Sequence, residues 1–326
     1  MYNLCCISLA LKKKKVKHRA LRYTQFEKHE RSDALEILGE RALENLQTTL
    51  ESMRYARKNN WGYRISSTIF PLFNLEKANV GLDDLPNVQD IQDKFAEIRQ
   101  FVKRNIPYHF RISFHPDHFN VLCSANPDVV ERTIKELDHH AWLMDEMAGE
   151  ESRSYWYPLN IHMSRSAGKP QDIAREFIKN YKRLPERVQK RLVLENEDKG
   201  VWSPDMLYNL IYQEIGVPIT YDTLHHRCNP GEWSTQEAYE KCIDTWRAQN
   251  TQQPIIPLFH YSEGGANGNP RAHTDFAEST PKLWREKHDT EETSRYKIDW
   301  DIELKQKDYA IQHLEELEQK KVLVHI

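Results

Sequence analysis

Residues 191–226 read RLVLENEDKGVWSPDMLYNLIYQEIGVPITYDTLHH. The short apolar run Leu192 to Glu195 ends on an acid. Ser203-Pro204 then opens a helical pattern that lasts to Gln213, with serine at the capping position and proline at the first helical one. A second short run, Ile219 to Asp222, also ends on an acid. A strand, a helix and a strand of this length form a parallel unit with its crossover on one face. The chain repeats that unit in both directions. Further strands are expected over Asn3 to Leu9, Tyr63 to Ser67, Phe110 to Phe114, Leu159 to Met163, Ile256 to Tyr261 and Ile298 to Glu303, eight in all. Helical stretches separate them, among them Ser32 to Lys58, with Leu35, Leu38, Ala42, Leu46 and Leu50 near a 3.6-residue spacing. Others are Ala125 to Met147, Lys169 to Asn180 and Ser234 to Ala248. Eight strands and about eight helices in 326 residues, roughly 40 per unit, predict an α/β fold, a single (β/α)8 TIM barrel forming one domain over residues 1–326. A doubly wound sheet is the alternative, but no glycine-rich GxGxxG turn follows the first strand and the chain has only 11 glycines.

Composition narrows the function classes. No apolar run approaches the ~18 residues of a membrane span. Near the start, four lysines follow the apolar residues rather than precede them, the reverse of a secretory signal. Five cysteines with no CxxC suit a reducing, cytoplasmic location rather than a disulfide framework or a zinc ribbon. The net charge of −3 makes the chain no polycation, so a nucleic-acid partner would need a local basic surface or bound metal. Fifteen histidines direct attention to metal chemistry.

Where those histidines fall is informative. His115, His162, Glu195, Asp222, His260 and Glu303 stand at the C-terminal ends of the third to eighth strands, the end of a barrel where active sites are built. Each alone is as well explained as a solvated or capping residue; six together are not. His225 and His273 lie in the loops after strands six and seven, and Asp222-x-x-His225 puts two ligand types on one turn. The expectation is a multinuclear site of carboxylates and imidazoles that takes Zn2+ or Mn2+ and clamps a phosphodiester between ions about 3.5–4 Å apart.

These residues sit in stretches that resemble, in order and spacing, the motifs of the UV damage endonuclease family: Tyr63-Arg-Ile-Ser-Ser, Arg111-Ile-Ser-Phe-His-Pro, Asn160-Ile-His-Met-Ser-Arg-Ser-Ala-Gly-Lys, Leu194-Glu-Asn-Glu-Asp, Tyr221-Asp-Thr-Leu-His-His, Phe259-His-Tyr-Ser and Ile302-Glu-Leu-Lys. The resemblance implies a metal-dependent barrel, related to the apurinic-site endonucleases, that nicks duplex DNA 5′ to cyclobutane pyrimidine dimers and 6-4 photoproducts. It also implies a monomer with two or three divalent ions, Mn2+ before Zn2+ or Mg2+. Glu195, Asp222 and Glu303 would be catalytic. One ion would be held by His115 and His162, with Glu195 bridging to a second completed by Asp222, His260 and Glu303, and a third would use His225 and His273. Glu197, Asp198, Asp299 and Asp301 are expected to cap, solvate or support. His109, His139, His140, His226, His288 and His313 are expected to be structural.

The chain departs from the family pattern at three places. Leu258 replaces a lysine that can be carboxylated to act as a ligand, which makes Asp275 a substitute candidate for the third ion. His118 and Phe119 stand where glutamine and tyrosine wedge into DNA at the lesion; an aromatic ring can stack on an exposed base and histidine can do part of the hydrogen bonding. Leu4 and Ser8 stand where the first loop carries a tyrosine and an asparagine near the damage. Lys12, Lys13, Lys14 and Lys15, with Lys169, Arg165 and Arg227, are candidate phosphate contacts; the lysine run also reads as a plain solvated loop. The chemistry expected is in-line attack by metal-activated water. An apurinic-site endonuclease, a barrel sugar isomerase and a metal-free DNA-binding barrel remain open alternatives.

Overall fold

A computed structural model describes residues 1–249 and 255–324. Eight strands, β1 Tyr2–Cys5, β2 Gly62–Ile65, β3 Ile112–Phe114, β4 Leu159–Ile161, β5 Leu192–Glu195, β6 Ile219–Thr220, β7 Leu258–Tyr261 and β8 Asp299–Ile302, pair in parallel in the order β6-β5-β4-β3-β2-β1-β8-β7. Strands sealed on both faces read as unbroken apolar runs, and all four residues of β5 are buried. Between β6 and β7 the ring closes through a single bridge, Asp222 to His260, in which His260 N donates to Tyr221 O at 3.0 Å. The last seam of this (β/α)8 barrel thus joins two of the residues singled out at the strand ends.

A principal helix follows each strand. Arg31–Lys58 buries Leu38, Ala42, Leu46, Leu50 and Met53 against the sheet, one stripe at helical spacing. Asn126 caps Pro127–Ala148 by accepting from Asp128 N at 2.9 Å, and Ser234 caps Thr235–Arg247 by accepting from Glu237 N at 3.2 Å. Ser203 precedes its helix but makes no side-chain cap, and the helical stretch expected to Gln213 widens into a π turn at Tyr208–Tyr212 before ending at Ile215. The largest departure is at the start. Instead of running to Leu9, β1 stops at Cys5. Cys6 turns the chain with φ 64°, and Ser8 caps a short helix, Leu9–Lys13, so Lys12 and Lys13 end a helix rather than lie in an open loop.

The polar interior is layered. At the N-terminal end Arg111, wholly buried, donates to Trp156 O, Tyr155 O and Ile256 O and pairs with Asp299 at 3.2 Å. Burial pushes the Asp299 carboxyl up, but hydrogen bonding to His109, the Met1 ammonium and Arg111 outweigh it and hold Asp299 at about 2. One layer higher, Asn3 Nδ2 donates to Asp301 Oδ1 at 2.9 Å. Gly62 makes that layer possible, because a Cβ there would collide with Asn3 Oδ1 and stand 2.9 Å from Arg111 O.

Under the β2–β3 side, His139 packs against Phe70, Phe73 and Trp142, and burial pushes it down to about 3. The unfolded chain protonates this ring near pH 6.5 and the folded chain does not. Stability contributed here is therefore present above pH 6.5 and lost as pH falls toward 3. Urea melts at pH 7 and pH 5 should show the wild type losing on the order of 1 kcal/mol more than His139→Phe. Equal losses would mean that the ring is protonated freely in the fold.

Candidate metal centre and its rim

Glu195, the last residue of β5, is the hub. Its carboxylate is buried, and His115 Nε2, His260 Nδ1 and His225 Nδ1 reach it at 3.1, 3.0 and 3.1 Å, with His162 Nε2 at 3.6 Å. Asn160 Nδ2, inside β4, fixes the same carboxylate. In each of three sets the ligand atoms lie within 4.8 Å of one another: His115 with His162 and Glu195, Glu195 with Asp222 and His225, and His115 with His260 and Glu303. The structure therefore brings together seven of the eight residues expected to be ligands, in a different grouping. His225 joins Asp222 rather than His273, because Asp222 caps the turn into Thr223–Cys228 and accepts from His225 N at 2.7 Å. His273 belongs to none of the three sets; it bridges Gly264 across the loop after β7 and acts on Glu303 only through its field. Asp275 is exposed, near Gln306 Nε2 at 3.4 Å, and Leu258 is buried on the strand face it shares with His260.

The electrostatics are those of carboxylates sharing scarce positive charge. Burial pushes Glu195 up, yet the His260 and His162 rings and hydrogen bonds from His115 and His225 pull it well below the usual carboxylate range. Burial would lower His260, but Glu195 and Glu303 draw it up to about 9. His162, for which burial dominates, is pushed down to about 4 and stays a neutral ring with a free lone pair at pH 7. His162 Nδ1, Asn160 Oδ1 and Asp222 Oδ2 are buried without a hydrogen-bond partner. Orphaned buried polar atoms beside imidazoles and carboxylates are what a divalent cation would satisfy, so this mixed nitrogen and oxygen set fits Mn2+ or Zn2+. Arg64, to which the sequence alone assigns no role, pairs with Glu303 and lies 3.4 Å from Asp301 Oδ2. Asn160 and Asn196 also act on this centre, although the sequence alone assigns them no role. Asn196 Oδ1 accepts from Asp222 N at 2.8 Å, and each asparagine lies within two residues of a ligand-type one in the chain, the one signal in the sequence that points to them.

Around this centre the rim is uneven. His118 and Phe119 sit at the tip of a turn tied by Asn120 N and Nδ2 to Asp117 O, with ring centroids 4.2 Å apart and Phe119 75 % exposed. Lys12, Lys13, Lys14, Lys15, Lys169 and Arg227 are exposed, whereas Arg165 turns back to donate to Cys123 O at 2.6 Å. Leu4 and Ser8 offer the rim no surface, since Leu4 lies in the core and the Ser8 hydroxyl is buried against Asp308. Glu197 accepts from Ser164 N at 2.6 Å and is pushed up to about 7 by burial, while Asp198 faces Arg271 at 4.0 Å.

Comparison with known proteins agrees with this fold. A UV DNA damage endonuclease of Nostoc sp. is 30 % identical over 319 residues, covering 96 % of this chain and 88 % of the relative. The crystal structure of SacUVDE superposes with a TM-score of 0.76 at 25 % identity, covering 97 % of this chain and 98 % of the other. Endonuclease IV from Thermus thermophilus, at 11 % identity and a TM-score of 0.51 over 83 % of this chain and 94 % of the other, shares the fold. No helix among the described residues is long and apolar enough to cross a membrane. The profile of the family described as UV-endonuclease UvdE matches residues 2–325, and with a barrel whose strand ends carry this imidazole and carboxylate centre, the chain belongs to that family.

Proposed function

We propose that this protein is a DNA repair endonuclease that nicks duplex DNA 5′ to cyclobutane pyrimidine dimers and 6-4 photoproducts. The observation that carries the reading is the Glu195 carboxylate among four imidazoles, with the exposed Phe119 on the rim only four residues from His115. Family membership supports the reaction class. Supplied with Mn2+ and UV-irradiated, abasic and undamaged duplexes, the purified protein should nick the irradiated strand beside the lesion and leave undamaged DNA intact. Preference for the abasic duplex would move the assignment to an apurinic-site endonuclease, and no nicking of any duplex would remove it.

His115, His162 and Glu195 would hold one divalent ion and Glu195, Asp222 and His225 a second, with His260 and Glu303 completing the mouth. Such ions, when bound, lower the pKa of water toward neutrality and offset charge developing on phosphorus and on the departing 3′ oxygen. The chain's own residues prepare that setting. Asn160 locks Glu195 in one orientation, Arg64 holds Glu303, and Asn196 fixes the turn that carries Asp222. His118 and Phe119 enter the helix where damage has weakened pairing, so that displacing the lesion costs less than displacing intact bases. The three ligand sets among the described residues are complete within one barrel, as a monomer would need, and five free thiols support a reducing, cytoplasmic setting.

A separate third ion at His225 and His273 would have little to bind, because His225 groups with Glu195 and Asp222. Anomalous diffraction from crystals soaked in Mn2+ should show two strong peaks at Glu195 and, near His273, a weak one or none. Leu258→Lys should strengthen the weak position or leave it unchanged. Asp275→Ala should leave all peaks as they are; loss of a peak in that variant would restore Asp275 as a ligand.

A further inference from the structure

The turn after β1 and the turn after β8 are locked together by one buried carboxylate. Asp308, at the start of the helix Lys307–Val324, accepts from Leu9 N at 2.6 Å, Ala10 N at 3.0 Å, Ser8 Oγ at 3.0 Å and Tyr55 Oη at 3.2 Å. Those donors lie in the first barrel unit, some 300 positions away for Ser8. Next door, Lys13 Nζ donates to Tyr309 Oη at 2.9 Å and sits 4.8 Å from the centroid of that ring. The clamp fixes the helix Leu9–Lys13 against the segment 303–309, and so ties the turn that carries Lys12, Lys13, Lys14 and Lys15 to the turn that carries Lys305 and Lys307. Both turns follow strand C-termini, so the cations stand on the face that carries Glu303, two residues before Lys305.

What marks this ledge is its place beside Glu303 rather than pairing alone, since lysines elsewhere, Lys135 and Lys282 among them, also have no carboxylate within 4.0 Å among the described residues. On the outer helices Lys94, Lys103, Lys179 and Lys190 each lie within 3.4 Å of a glutamate. Among the described residues, no carboxylate lies within 4.0 Å of the ammonium of Lys12, Lys13, Lys14, Lys15, Lys305 or Lys307, and the exposed acid of the adjoining loop, Asp275, is turned to Gln306. Six cations on two joined turns, without acidic partners, raise a positive potential that a polyanion crossing them would neutralise.

We infer that these lysines form one phosphate-binding ledge, assembled from both ends of the chain, which carries the backbone of a DNA duplex past the β8 side of the centre, and that Asp308 is the positioning residue that builds it. The inference rests on DNA being the substrate, but not on any nick being made. It adds Lys305 and Lys307 to the lysine run and gives the run a fixed orientation.

The test is binding of intact and UV-irradiated duplex by fluorescence anisotropy in chelator, across a range of salt concentrations. Each phosphate contact contributes about 0.9 to the slope of log affinity against log salt. Lys305→Gln with Lys307→Gln should reduce that slope by about 1–2 and weaken both duplexes by similar factors. Neutralising Lys12 to Lys15 should lower it in the same way. Asp308→Asn should lower the slope toward the value of that fourfold variant, and combining the two should add little, a non-additivity that a merely destabilised fold would not produce. Ser8→Ala, which removes one of the four donors, is the milder companion should Asp308→Asn fold poorly, and it should shift the slope in the same direction. An unchanged slope in the Lys305 and Lys307 variant overturns the ledge, and a loss confined to irradiated duplex overturns its assignment to phosphate. If wild-type protein binds with the expected slope but nicks nothing, the endonuclease reading fails and the ledge stands.

Discussion

Glu195→Gln is expected to lower the single-turnover rate of nicking at UV lesions by ~10^3-fold or more, and to reduce bound Mn2+ below one ion per chain. The substitution keeps shape and volume and removes the charge. In the wild type one carboxylate serves four imidazoles at 3.0–3.6 Å and belongs to two of the three ligand sets. Losing it therefore weakens two ion positions at once, where loss of His162 or Asp222 would weaken one. A thousandfold loss corresponds to about 4 kcal/mol of transition-state stabilisation, in keeping with the several kcal/mol that such ions supply. A neutral amide also stops drawing the His260 proton, so that ring should titrate lower than it does beside the Glu195 carboxylate. Elemental analysis, single-turnover nicking and the histidine NMR titration read the three consequences separately. Unchanged nicking with unchanged metal content would show that Glu195 is a support and that the chemistry lies elsewhere on the barrel.

Much of the barrel was legible because its strands report themselves. Parallel strands buried on both faces appear as short apolar runs whose C-terminal ends lie near an acid or histidine, as in Leu192 to Glu195; in the sixth, Ile219–Thr220, the acid Asp222 falls two residues past the end and caps the next helix. The first strand was overrun for a physical reason. Ile7, Leu9 and Leu11 continue its apolar character, and nothing in Cys5-Cys6 announces the left-handed turn that ends pairing and sends Ser8 to cap a helix. Asp222-x-x-His225 was readable as a pair because helical turns bring positions three apart together. The assignment of His273 depended on the path of a long loop, which no local pattern encodes. Asp308 lay beyond reach for the same reason, since its four donors become neighbours only when the eighth strand closes beside the first. Arg64 was visible but unremarkable; only the positions of Glu303 and Asp301 give it a task.

Phe119→Ala should lower nicking of UV-irradiated duplex by about 10- to 100-fold while leaving affinity for intact duplex and folding stability close to wild type. The ring is 75 % exposed and touches His118 rather than the core, so truncation removes little buried surface and should change stability by no more than ~0.5 kcal/mol. Stacking of a base on an aromatic side chain is worth about 1–3 kcal/mol, which sets the size of the loss if the ring fills the gap left in a kinked helix. Intact duplex resists that insertion because its bases remain stacked, so its affinity depends on phosphate contacts that Phe119 does not make. Phe119→Tyr and Phe119→Trp should keep most of the activity, since either ring presents a face to a base, whereas Phe119→Leu should fall between wild type and alanine. The neighbouring His118 offers a second reading of the same turn: His118→Gln, which retains a hydrogen-bonding side chain, should be milder than His118→Ala. Equal losses on irradiated and intact DNA, or full activity in the alanine variant, would reduce Phe119 to an ordinary exposed loop residue and shift lesion recognition to another part of the rim.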